Sequence, residues 1–309
     1  MILTVTLNTA LDITYHVRAL RPHGTHRVSE VTERPGGKGL NVGRVLAALG
    51  HEVTVTGFTG GATGRAVRDQ LAGTAGVVDA LVPVQGSTRR TIAVVDTTTG
   101  DTTQLNEPGP AITPAEWSAF QETYERLLRS ASAVALCGSL PPGVPVGAYA
   151  QLVRTARASA VPVLLDTSGE PLRRGVAARP DIVKPNAEEL AELTGSHDPS
   201  QATRSARRRG AHTVVASLGA EGLLAENAAG RWRAAPPRRV HGNPTGAGDS
   251  AVAGLLSGLV EDLPWPERLA RAVALSAATV LAPAAGEFDR AAYEALAGQV
   301  AVTSEASAA

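Results

Sequence analysis

A glycine-rich stretch in the last third of the chain places an acidic residue where a phosphate could be handled. Residues 241–250, His-Gly-Asn-Pro-Thr-Gly-Ala-Gly-Asp-Ser, run into an apolar segment in which Val252, Leu255 and Leu259 recur at helical spacing. The pattern predicts a helix N-terminus, whose free backbone N–H groups and positive dipole end attract anions. Asp249 falls in the first turn, where a carboxylate either only complements the dipole or acts as a general base beside a bound phosphate.

A second glycine-rich helix start lies at residues 35–41, Pro-Gly-Gly-Lys-Gly-Leu-Asn. It is not a P-loop, because Gly and Leu follow the lysine where Ser or Thr would stand. A tight turn would explain the glycines, but it explains neither the cation of Lys38, which the helix dipole disfavours, nor the amide of Asn41. Contact with a ligand explains both. Lys38 and Lys184 are the chain's two lysines among 29 basic residues, and both lie in motifs.

Three further motifs each have a structural and a functional interpretation. Arg89, in the sequence Ser-Thr-Arg-Arg, either charges an exposed strand edge or grips a phosphate. Asn186 and Glu189 are spaced as a capping box, and the same side chains offer oxygen atoms that can hold Mg²⁺ through water. Residues 217–222, Ser-Leu-Gly-Ala-Glu-Gly, are either a hairpin turn or a loop that lets a nucleotide phosphate approach the backbone.

Composition narrows the class of protein. The 309 residues are 43% apolar and 19% charged, which is enough for a sizeable core. The net charge is zero, so no excess of positive charge indicates binding to nucleic acid or to an acidic membrane. The single cysteine, Cys137, excludes an intrachain disulfide and suits a reducing compartment. The N-terminal residues read as a strand rather than a signal peptide, and no apolar run approaches the ~20 residues that span a bilayer, so we expect a cytoplasmic protein.

Strands and helices alternate from about residue 36 onward, a pattern typical of βαβ units and of an α/β fold with a mostly parallel sheet. Ligands bind beyond the carboxyl ends of such strands. Polar or glycine residues follow five predicted strand ends, at Asn8, Gly138, Asp166, Lys184 and Ser217. Two early hairpins, residues 13–31 and 91–106, break the rhythm and are expected to form a small separate sheet over the site. The tail from Val302 is expected to be frayed.

Together these motifs resemble the ribokinase-like (PfkB) carbohydrate kinases over nearly the whole chain. Residues 35–41 look like the first signature of that family, and residues 245–249, Thr-Gly-Ala-Gly-Asp, look like the second. The resemblance implies a single kinase domain over residues 1–309 with a three-layer α/β/α core. It also implies a β-sheet lid from about residues 9–35 and 85–107, and a homodimer that pairs through the lids.

Within the family, the chain is most similar to the branch that acts on phosphorylated ketohexoses, namely 1-phosphofructokinase, tagatose-6-phosphate kinase and the minor bacterial 6-phosphofructokinase. The opening of residues 8–12, Asn-Thr-Ala-Leu-Asp, and the position of Arg89 carry this similarity, with residues 138–143 and 166–170. Residues 243–244, Asn-Pro, depart from the family pattern, where many members have Asp-Thr and 1-phosphofructokinases often have Ser-Val. The particular sugar is therefore less well defined than the branch.

The resemblance implies phosphorylation of fructose 1-phosphate by ATP, with tagatose 6-phosphate and fructose 6-phosphate as alternatives. A kinase for an unphosphorylated sugar or nucleoside is a rival interpretation, against which Arg89 argues. A non-catalytic sugar-phosphate sensor is another, against which the intact Asp249 and signature glycines argue.

Roles for individual residues also follow from the resemblance. Asp249 would accept the proton of the attacking sugar hydroxyl, while the backbone of Gly246, Ala247 and Gly248 would hold the transferred phosphoryl group. Asp12, Gly37 and Asn41 would hold sugar hydroxyls, and Lys38, Arg89 and Ser139 the phosphate of the sugar. Residues implied for ATP are Lys184, Ser217, Gly219, Gly222, Thr245, Gly248 and Ser276, and those implied for Mg²⁺, through water, are Asn186 and Glu189. Lid closure would keep water from ATP.

Overall fold

The computed structural model describes residues 1–306, in which strands and helices alternate along most of the chain. The strands are β1 Ile2–Thr6, β2 Ala10–Val17, β3 Val28–Gly36, β4 Val53–Thr59, β5 Val77–Asp79, β6 Val82–Pro83, β7 Arg89–Asp96, β8 Thr102–Asn106, β9 Ala133–Cys137, β10 Val163–Asp166, β11 Ile182–Val183, β12 Thr213–Ser217, β13 Leu223–Glu226, β14 Gly230–Ala234 and β15 Val302–Ala306. The helices are α1 Lys38–Ala48, α2 Gly61–Ala72, α3 Pro114–Leu128, α4 Ala148–Ala158, α5 Gly169–Ala177, α6 Ala187–Thr194, α7 Pro199–Arg208, α8 Ala247–Val260, α9 Trp265–Val280 and α10 Arg290–Ala297.

A large sheet forms the centre of the molecule, with strand order β15-β14-β13-β12-β11-β10-β9-β1-β4-β5 and β6 beside β4. The neighbours from β12 to β5 run parallel, while β13, β14 and β15 add on antiparallel. The carboxyl ends of the parallel strands therefore meet at one edge, where the motif residues follow them. This confirms the expected α/β fold with a mostly parallel sheet.

Apolar side chains fill both faces of this sheet, as β1 illustrates. Successive side chains of a strand point to opposite faces, and Leu3 and Val5 lie in one buried cluster while Ile2 lies in the other. Phe120 and Tyr124 of α3 belong to the first cluster, with α4 behind them; the second takes its apolar side chains from α1, α8 and α9. Helices thus cover both faces, which gives the expected three-layer core.

A four-stranded sheet in the order β3-β2-β7-β8 stands apart from the large one. Strands β2 and β3 and strands β7 and β8 pair antiparallel, and the parallel pairing of β2 with β7 joins the two hairpins. Asp12 lies opposite Arg34 on one side and Thr91 on the other, so these three side chains share one face. The prediction that the two early hairpins form a separate sheet is confirmed.

The C-terminal tail departs from its prediction. Residues expected to be frayed form β15, which pairs with β14 from Val302 opposite Ala234 to Ala306 opposite Gly230; residues 307–309 lie outside the described part. Backbone pairing with a strand far away in sequence, rather than an apolar pattern of its own, orders this segment. Helix α5 was also not predicted, because its Gly-Glu-Pro start reads as a loop. In residues 1–306, no helix is long and apolar enough to cross a membrane.

Candidate active site

Helix α8 begins with a glycine that no other residue could replace without strain. Gly246 is its N-cap, with φ of 84°, in the left-handed region that favours glycine. A Cβ at this position would also stand 2.8 Å from the Cα of Ala285. The first N–H groups of a helix have no intrahelical acceptors and can serve a ligand. Of the three backbone groups predicted to hold the phosphoryl group, that of Ala247 donates to the carbonyl of Pro244 at 3.1 Å.

The carboxylate of Asp249 is buried in the first turn of α8 and faces helix α1. Its Oδ2 accepts a hydrogen bond of 2.8 Å from Nδ2 of Asn41. Burial raises the pKa of Asp249 to about 6, although the positive charge of Lys38 and the hydrogen bond from Asn41 pull it down. Such a carboxylate is ionised at neutral pH and still basic enough to accept a proton, which is what a general base requires.

The two lysines of the chain meet at one carboxylate. Nζ of Lys38 and Nζ of Lys184 each lie 3.4 Å from Oδ1 of Asp166, whose side chain is 1% exposed at the end of β10. Burial opposes the charge on Lys38, but the carboxylates of Asp166, Asp249 and Glu189 outweigh it and raise the pKa of that ammonium. Two cations are therefore held near the helix α8 N-terminus, and a Cβ at Gly248 would lie 3.7 Å from Nζ of Lys184.

Four of the predicted sugar-phosphate residues line one cavity of about 900 Å³ below the small sheet: Gly37, Lys38, Arg89 and Ser139. Asn8 fixes two of them, because its Nδ2 donates to the Ser139 hydroxyl at 3.1 Å and its backbone carbonyl accepts from Arg89 Nε at 3.1 Å. Burial lowers the pKa of Arg89, against the raising effect of Asp12. A guanidinium, an ammonium and a hydroxyl thus face one space, which we call the anion cavity.

Asp12 lines a neighbouring cavity of about 610 Å³ between the small sheet and the loop before α8, and Thr245 lies there too. Nη1 of Arg89 donates to the hydroxyl of Thr91 at 3.3 Å, which links the two cavities along β7. Burial raises the pKa of Asp12, with Arg89 opposing. Gly36 leaves room for this side chain, because a Cβ there would lie 2.1 Å from Cγ of Asp12.

A third cavity, of about 490 Å³, lies on the other side of the α8 N-terminus and contains most of the residues predicted for ATP. Its lining includes Ser217, Gly219, Gly222, Gly248 and Ser276, together with apolar side chains of Val240, Val273 and Val280. Lys184 and Thr245 do not line it. The loop of residues 217–222 joins the antiparallel strands β12 and β13, so it is a hairpin turn and a cavity wall at the same time.

Asn186 and Glu189 form the predicted capping box at the start of α6. Oδ1 of Asn186 accepts from the Glu189 N–H at 2.8 Å, and Oε2 of Glu189 accepts from the Asn186 N–H at 2.9 Å. Asn186 lines the third cavity and Glu189 lines the anion cavity, so the pair stands between them. Residues 1–306 contain no cluster of three His, Cys, Asp or Glu side chains that could hold a metal ion. Both side chains keep oxygen lone pairs beyond their capping bonds, which a Mg²⁺ ion could use through water.

Three side chains of the site had no predicted role: Arg44 was not singled out, and Asn8 and Asp166 were named only as residues that follow strand ends and that lie in stretches resembling the family. Asp166 follows a buried strand and is the counter-charge for both lysines, a signal visible in the sequence as two isolated cations without an assigned partner. Arg44 donates to Oδ1 of Asn41 at 2.9 Å. Helical spacing places it one turn after Asn41, but its contact with the loop of Ala285 had no signal in the sequence.

The chain belongs to the PfkB family of carbohydrate kinases, whose pattern matches residues 5–291, and it is an ATP-dependent sugar kinase. Among its relatives is 1-phosphofructokinase of Rhodobacter capsulatus, 40% identical over 290 residues, which covers 91% of this chain and 92% of the relative. Its fold matches phosphofructokinase-2 of Escherichia coli, in a tetrameric inhibited form, with a TM-score of 0.90 and 29% identity over 96% and 98% of the two chains. A possible 1-phosphofructokinase of Thermotoga maritima matches with a TM-score of 0.89 and 27% identity, over 99% of both chains.

Proposed function

We propose that this kinase transfers the γ-phosphoryl group of ATP to a phosphorylated ketohexose, with fructose 1-phosphate as the acceptor and fructose 1,6-bisphosphate as the product. The observation that carries the proposal is the anion cavity, which Lys38, Arg89 and Ser139 line together. Cations and hydroxyls of this kind recognise a phosphate group, which a free sugar lacks. The 40% identity to a 1-phosphofructokinase supports the choice of sugar.

Fructose 6-phosphate is the second candidate acceptor, since a solved structure of Escherichia coli phosphofructokinase-2 in complex with fructose-6-phosphate matches this fold with a TM-score of 0.89. Tagatose 6-phosphate stays a third. Fructose 1-phosphate carries its phosphate at the opposite end from the two 6-phosphates, so the position of the acceptor hydroxyl relative to the anion cavity separates it from them. Fructose 6-phosphate and tagatose 6-phosphate differ from each other only in configuration at C4. The replacement of the usual family residues by Asn243 and Pro244 lies in the cavity that Asp12 lines, where such a difference would be felt.

In the proposed reaction, the acceptor hydroxyl attacks the γ-phosphorus and its proton passes to Asp249. The bond between the γ-phosphorus and the bridging oxygen breaks, and ADP leaves with that oxygen. Asn41 occupies Oδ2 of Asp249 and leaves Oδ1 for the hydroxyl. The backbone of Gly246 and Gly248 and the ammonium of Lys184 would stabilise charge on the transferred group, since they lie at or beside the N-terminus of α8.

We assign the remaining predicted residues to the substrates by the cavities they line, except Asn41, which lines none of the three cavities described above and is assigned by its hydrogen bond to Asp249. Asp12, Gly37 and Asn41 would hold sugar hydroxyls, and Ser217, Gly219, Gly222 and Ser276 would border the nucleotide, with Thr245 at the junction of the two substrates. Asn186 and Glu189 would hold Mg²⁺ through water, since each keeps oxygen lone pairs beyond its capping bond. When bound, Mg²⁺ neutralises charge on the phosphates of ATP. The requirement for ATP favours the cytoplasm as the place of the reaction.

The small sheet is the proposed lid of this single domain, formed by residues of about 9–35 and 85–107. An ion pair between Arg34 of β3 and Glu287, in the loop after α9, joins it to the core beside the site. On the face that also carries Tyr15, Val31 is 55% exposed and Leu105 is 58% exposed. Apolar side chains left in water favour pairing with a second copy, which supports the homodimer through the lid. Sedimentation of Val31→Lys against the parent chain tests that pairing.

The first experiment measures ADP release with ATP and Mg²⁺ over fructose 1-phosphate, fructose 6-phosphate, tagatose 6-phosphate, fructose, ribose and no sugar. We expect the highest kcat/KM with fructose 1-phosphate. A preference for another phosphoketohexose would replace the acceptor but keep the branch, and a preference for a free sugar would refute the phosphate-binding role of the anion cavity. ADP release that is insensitive to every sugar would refute the proposed function.

A pair of neighbouring arginines supplies a matched control for that cavity. Arg89→Ala should raise KM for the sugar phosphate about 10–100-fold, because it removes a charge-assisted grip on the phosphate. Arg90→Ala removes the adjacent arginine, which pairs with Glu107 on the exposed side of the sheet, and should leave KM unchanged. Equal effects from the two variants would mean that Arg89 only charges a strand edge.

A further inference from the structure

Arg44 of helix α1 points its guanidinium into the protein although no carboxylate hydrogen-bonds it in the described chain. One nitrogen, Nη2, donates to Oδ1 of Asn41 at 2.9 Å and to the carbonyl of Ala285 at 2.7 Å. Its Nε is buried and has no hydrogen-bond partner in residues 1–306. Burying a cation against neutral oxygens costs free energy, so the arrangement calls for a function that offsets the cost.

The approach of Arg44 to Ala285 depends on Gly286. A Cβ at Gly286, whose φ is 76°, would stand 2.3 Å from the guanidinium. The carbonyl next to this glycine therefore becomes reachable, and the arginine is clamped between helix α1 and the loop after α9. The same loop contributes Ala285 to the close contact with Gly246 at the start of α8.

The amide of Asn41 has two chemically different ends, and its function depends on which end faces Asp249. With Nδ2 toward the carboxylate, the amide donates a hydrogen bond to Asp249 at 2.8 Å. Rotated by half a turn, it would set its oxygen against the carboxylate, which ionised Asp249 repels. Arg44 has hydrogen-bond donors and no acceptor, so it can bond to the Asn41 amide only when the amide oxygen faces the guanidinium. The arginine thereby excludes the wrong orientation.

We propose that Arg44 is a positioning residue for phosphoryl transfer: it locks the Asn41 amide so that Asp249 presents Oδ1 to the acceptor hydroxyl. The inference rests on the proposed role of Asp249 as the general base. It assigns the arginine no contact with ATP or sugar. Arg44 also lines the cavity that Asp12 lines. Loss of a direct contact with the sugar there would raise KM for the sugar independently of Asn41, so the test must separate that contact from the lock.

Other charges around these groups must be kept apart in the test. Asp249 faces Lys38 of α1, Asp166 at the end of β10 and Lys184 after β11. Arg44 in turn faces Arg34 of β3, Asp12 of β2 and Asp249, and burial together with Arg34 lowers its pKa to about 10, so it stays charged at neutral pH. Loss of its charge alone could shift the titration of Asp249, and a measurement on one variant would not separate this from loss of the lock.

A double-mutant cycle between Arg44→Met and Asn41→Ala separates the two effects, with kcat and KM measured as functions of pH. We expect Arg44→Met to lower kcat about 10–100-fold with KM for ATP nearly unchanged, because orientation of the base is lost rather than binding. The apparent pKa of the acidic limb of the kcat–pH profile should rise by about half to one pH unit, since a carboxylate without its fixed donor holds its proton more tightly. In the Asn41→Ala background, Arg44→Met should change kcat by less than about twofold.

Two controls guard the interpretation. Arg290→Met removes an arginine that donates to the carbonyl of Ala48 at the other end of α1, and it should leave kcat unchanged. Gly286→Ala keeps the arginine and displaces it, so it should reproduce the loss of kcat if Arg44→Met fails to fold. Thermal unfolding of each variant establishes that the folded protein is being assayed.

The outcomes distinguish this inference from the function on which it rests. Equal losses of kcat in the wild-type and Asn41→Ala backgrounds would overturn the positioning role, as would unchanged kcat in both Arg44→Met and Gly286→Ala. If Asp249→Asn retains wild-type turnover, the proposed general base is wrong and the inference falls with it. An inactive Asp249→Asn together with a fully active Arg44→Met refutes the role of Arg44 alone.

Discussion

Helices α1 and α8 both begin after a glycine with positive φ and carry opposite charges in their first turns, although ψ is 141° at Gly37 and −6° at Gly246. Each has a glycine N-cap with positive φ, 102° at Gly37 and 84° at Gly246. Because glycine has no side chain, neither cap offers a side-chain acceptor to the N–H groups of the first turn. Lys38 stands at the first position of α1, where the helix dipole disfavours it, whereas Asp249 stands in the first turn of α8, where the dipole favours it.

The difference shows that the partner, rather than the helix, decides what such a terminus does. Asp166 holds Lys38 in place from across the sheet edge, so the start of α1 is a positively charged wall of the anion cavity. The start of α8 keeps its N–H groups near the cavity that contains the predicted nucleotide residues, and its carboxylate turns away toward Asn41. The bond between Asn41 and Asp249 joins the two termini into one site.

Removing the carboxylate of Asp249 in α8 should have the largest effect on kcat of all the variants that compare the two helix termini. Asp249→Asn should lower kcat by about 10²–10⁴-fold, the usual contribution of a general base, while ATP binding measured by calorimetry stays close to that of the parent. Glu261→Gln, at the C-terminal end of the same helix, is the matched control and should keep its turnover. A wild-type kcat in Asp249→Asn would mean that this carboxylate is not the general base and only complements the dipole of helix α8.

Adding a methyl group to each N-cap tests whether the two termini do different work. Gly246→Ala, forced against Ala285, should lower kcat about 10–100-fold by disturbing the phosphoryl site, whereas Gly37→Ala, which meets the Thr6 side chain, should chiefly raise KM for the sugar. Gly50→Ala has a similar φ of 96° and nothing within 4 Å, so it measures the cost of backbone strain, about 1–2 kcal/mol. Identical effects of the two substitutions on kcat and KM would contradict the expectation that the α8 terminus serves the phosphoryl group and the α1 terminus the sugar.

Substitution of each of the two lysines should raise KM for a different substrate. Lys38→Met removes the charge from the wall of the anion cavity and should raise KM for the sugar phosphate about tenfold. Lys184→Met acts beside Gly248 and should raise KM for ATP instead. Initial rates over a grid of both substrates measure each KM. A variant that raises both KM values equally would show that Asp166 couples the lysines too tightly for separate roles.

The smallest expected effect is a shift in pH dependence. Asp249 must be ionised to accept a proton and its pKa is raised to about 6, so kcat should be constant above that pH and should fall as the pH drops through 6. Lys184 lowers this pKa, so Lys184→Met should move the acidic limb upward by less than about one pH unit. Titration of the substrates is the same for both proteins, and an unmoved limb would assign the pH dependence to the substrates.

Local patterns were predicted well from the sequence, because they depend on neighbours within one turn. The capping box of Asn186 and Glu189 is of this kind, and so is the helix N-terminus that carries Asp249. The alternation of strands and helices likewise predicted the parallel sheet. The small separate sheet was predicted because its hairpins broke that rhythm.

Contacts between distant segments were not predicted, because no periodicity records them. The ion pair of Asp166 with Lys38 spans 128 residues, and the bond from Arg44 to Ala285 spans 241. The pairing that orders Val302–Ala306 is equally remote from its partner strand. For the same reason, the sequence did not reveal that Asp12 and Lys38 line different cavities.

The scarcity of lysine has a practical consequence for chemical labelling. An amine-directed reagent such as an N-hydroxysuccinimide ester would find two side-chain amines, at Lys38 and Lys184, in addition to the α-amino group. Lys38 is 40% exposed and Lys184 is 5% exposed, so the first is the more accessible to the reagent, although its raised pKa keeps the ammonium protonated and slows acylation. Nearly every lysine adduct would then report on the active site, and protection by sugar phosphate could be read from one modified peptide. Immobilisation through lysine would, by the same logic, inactivate this kinase.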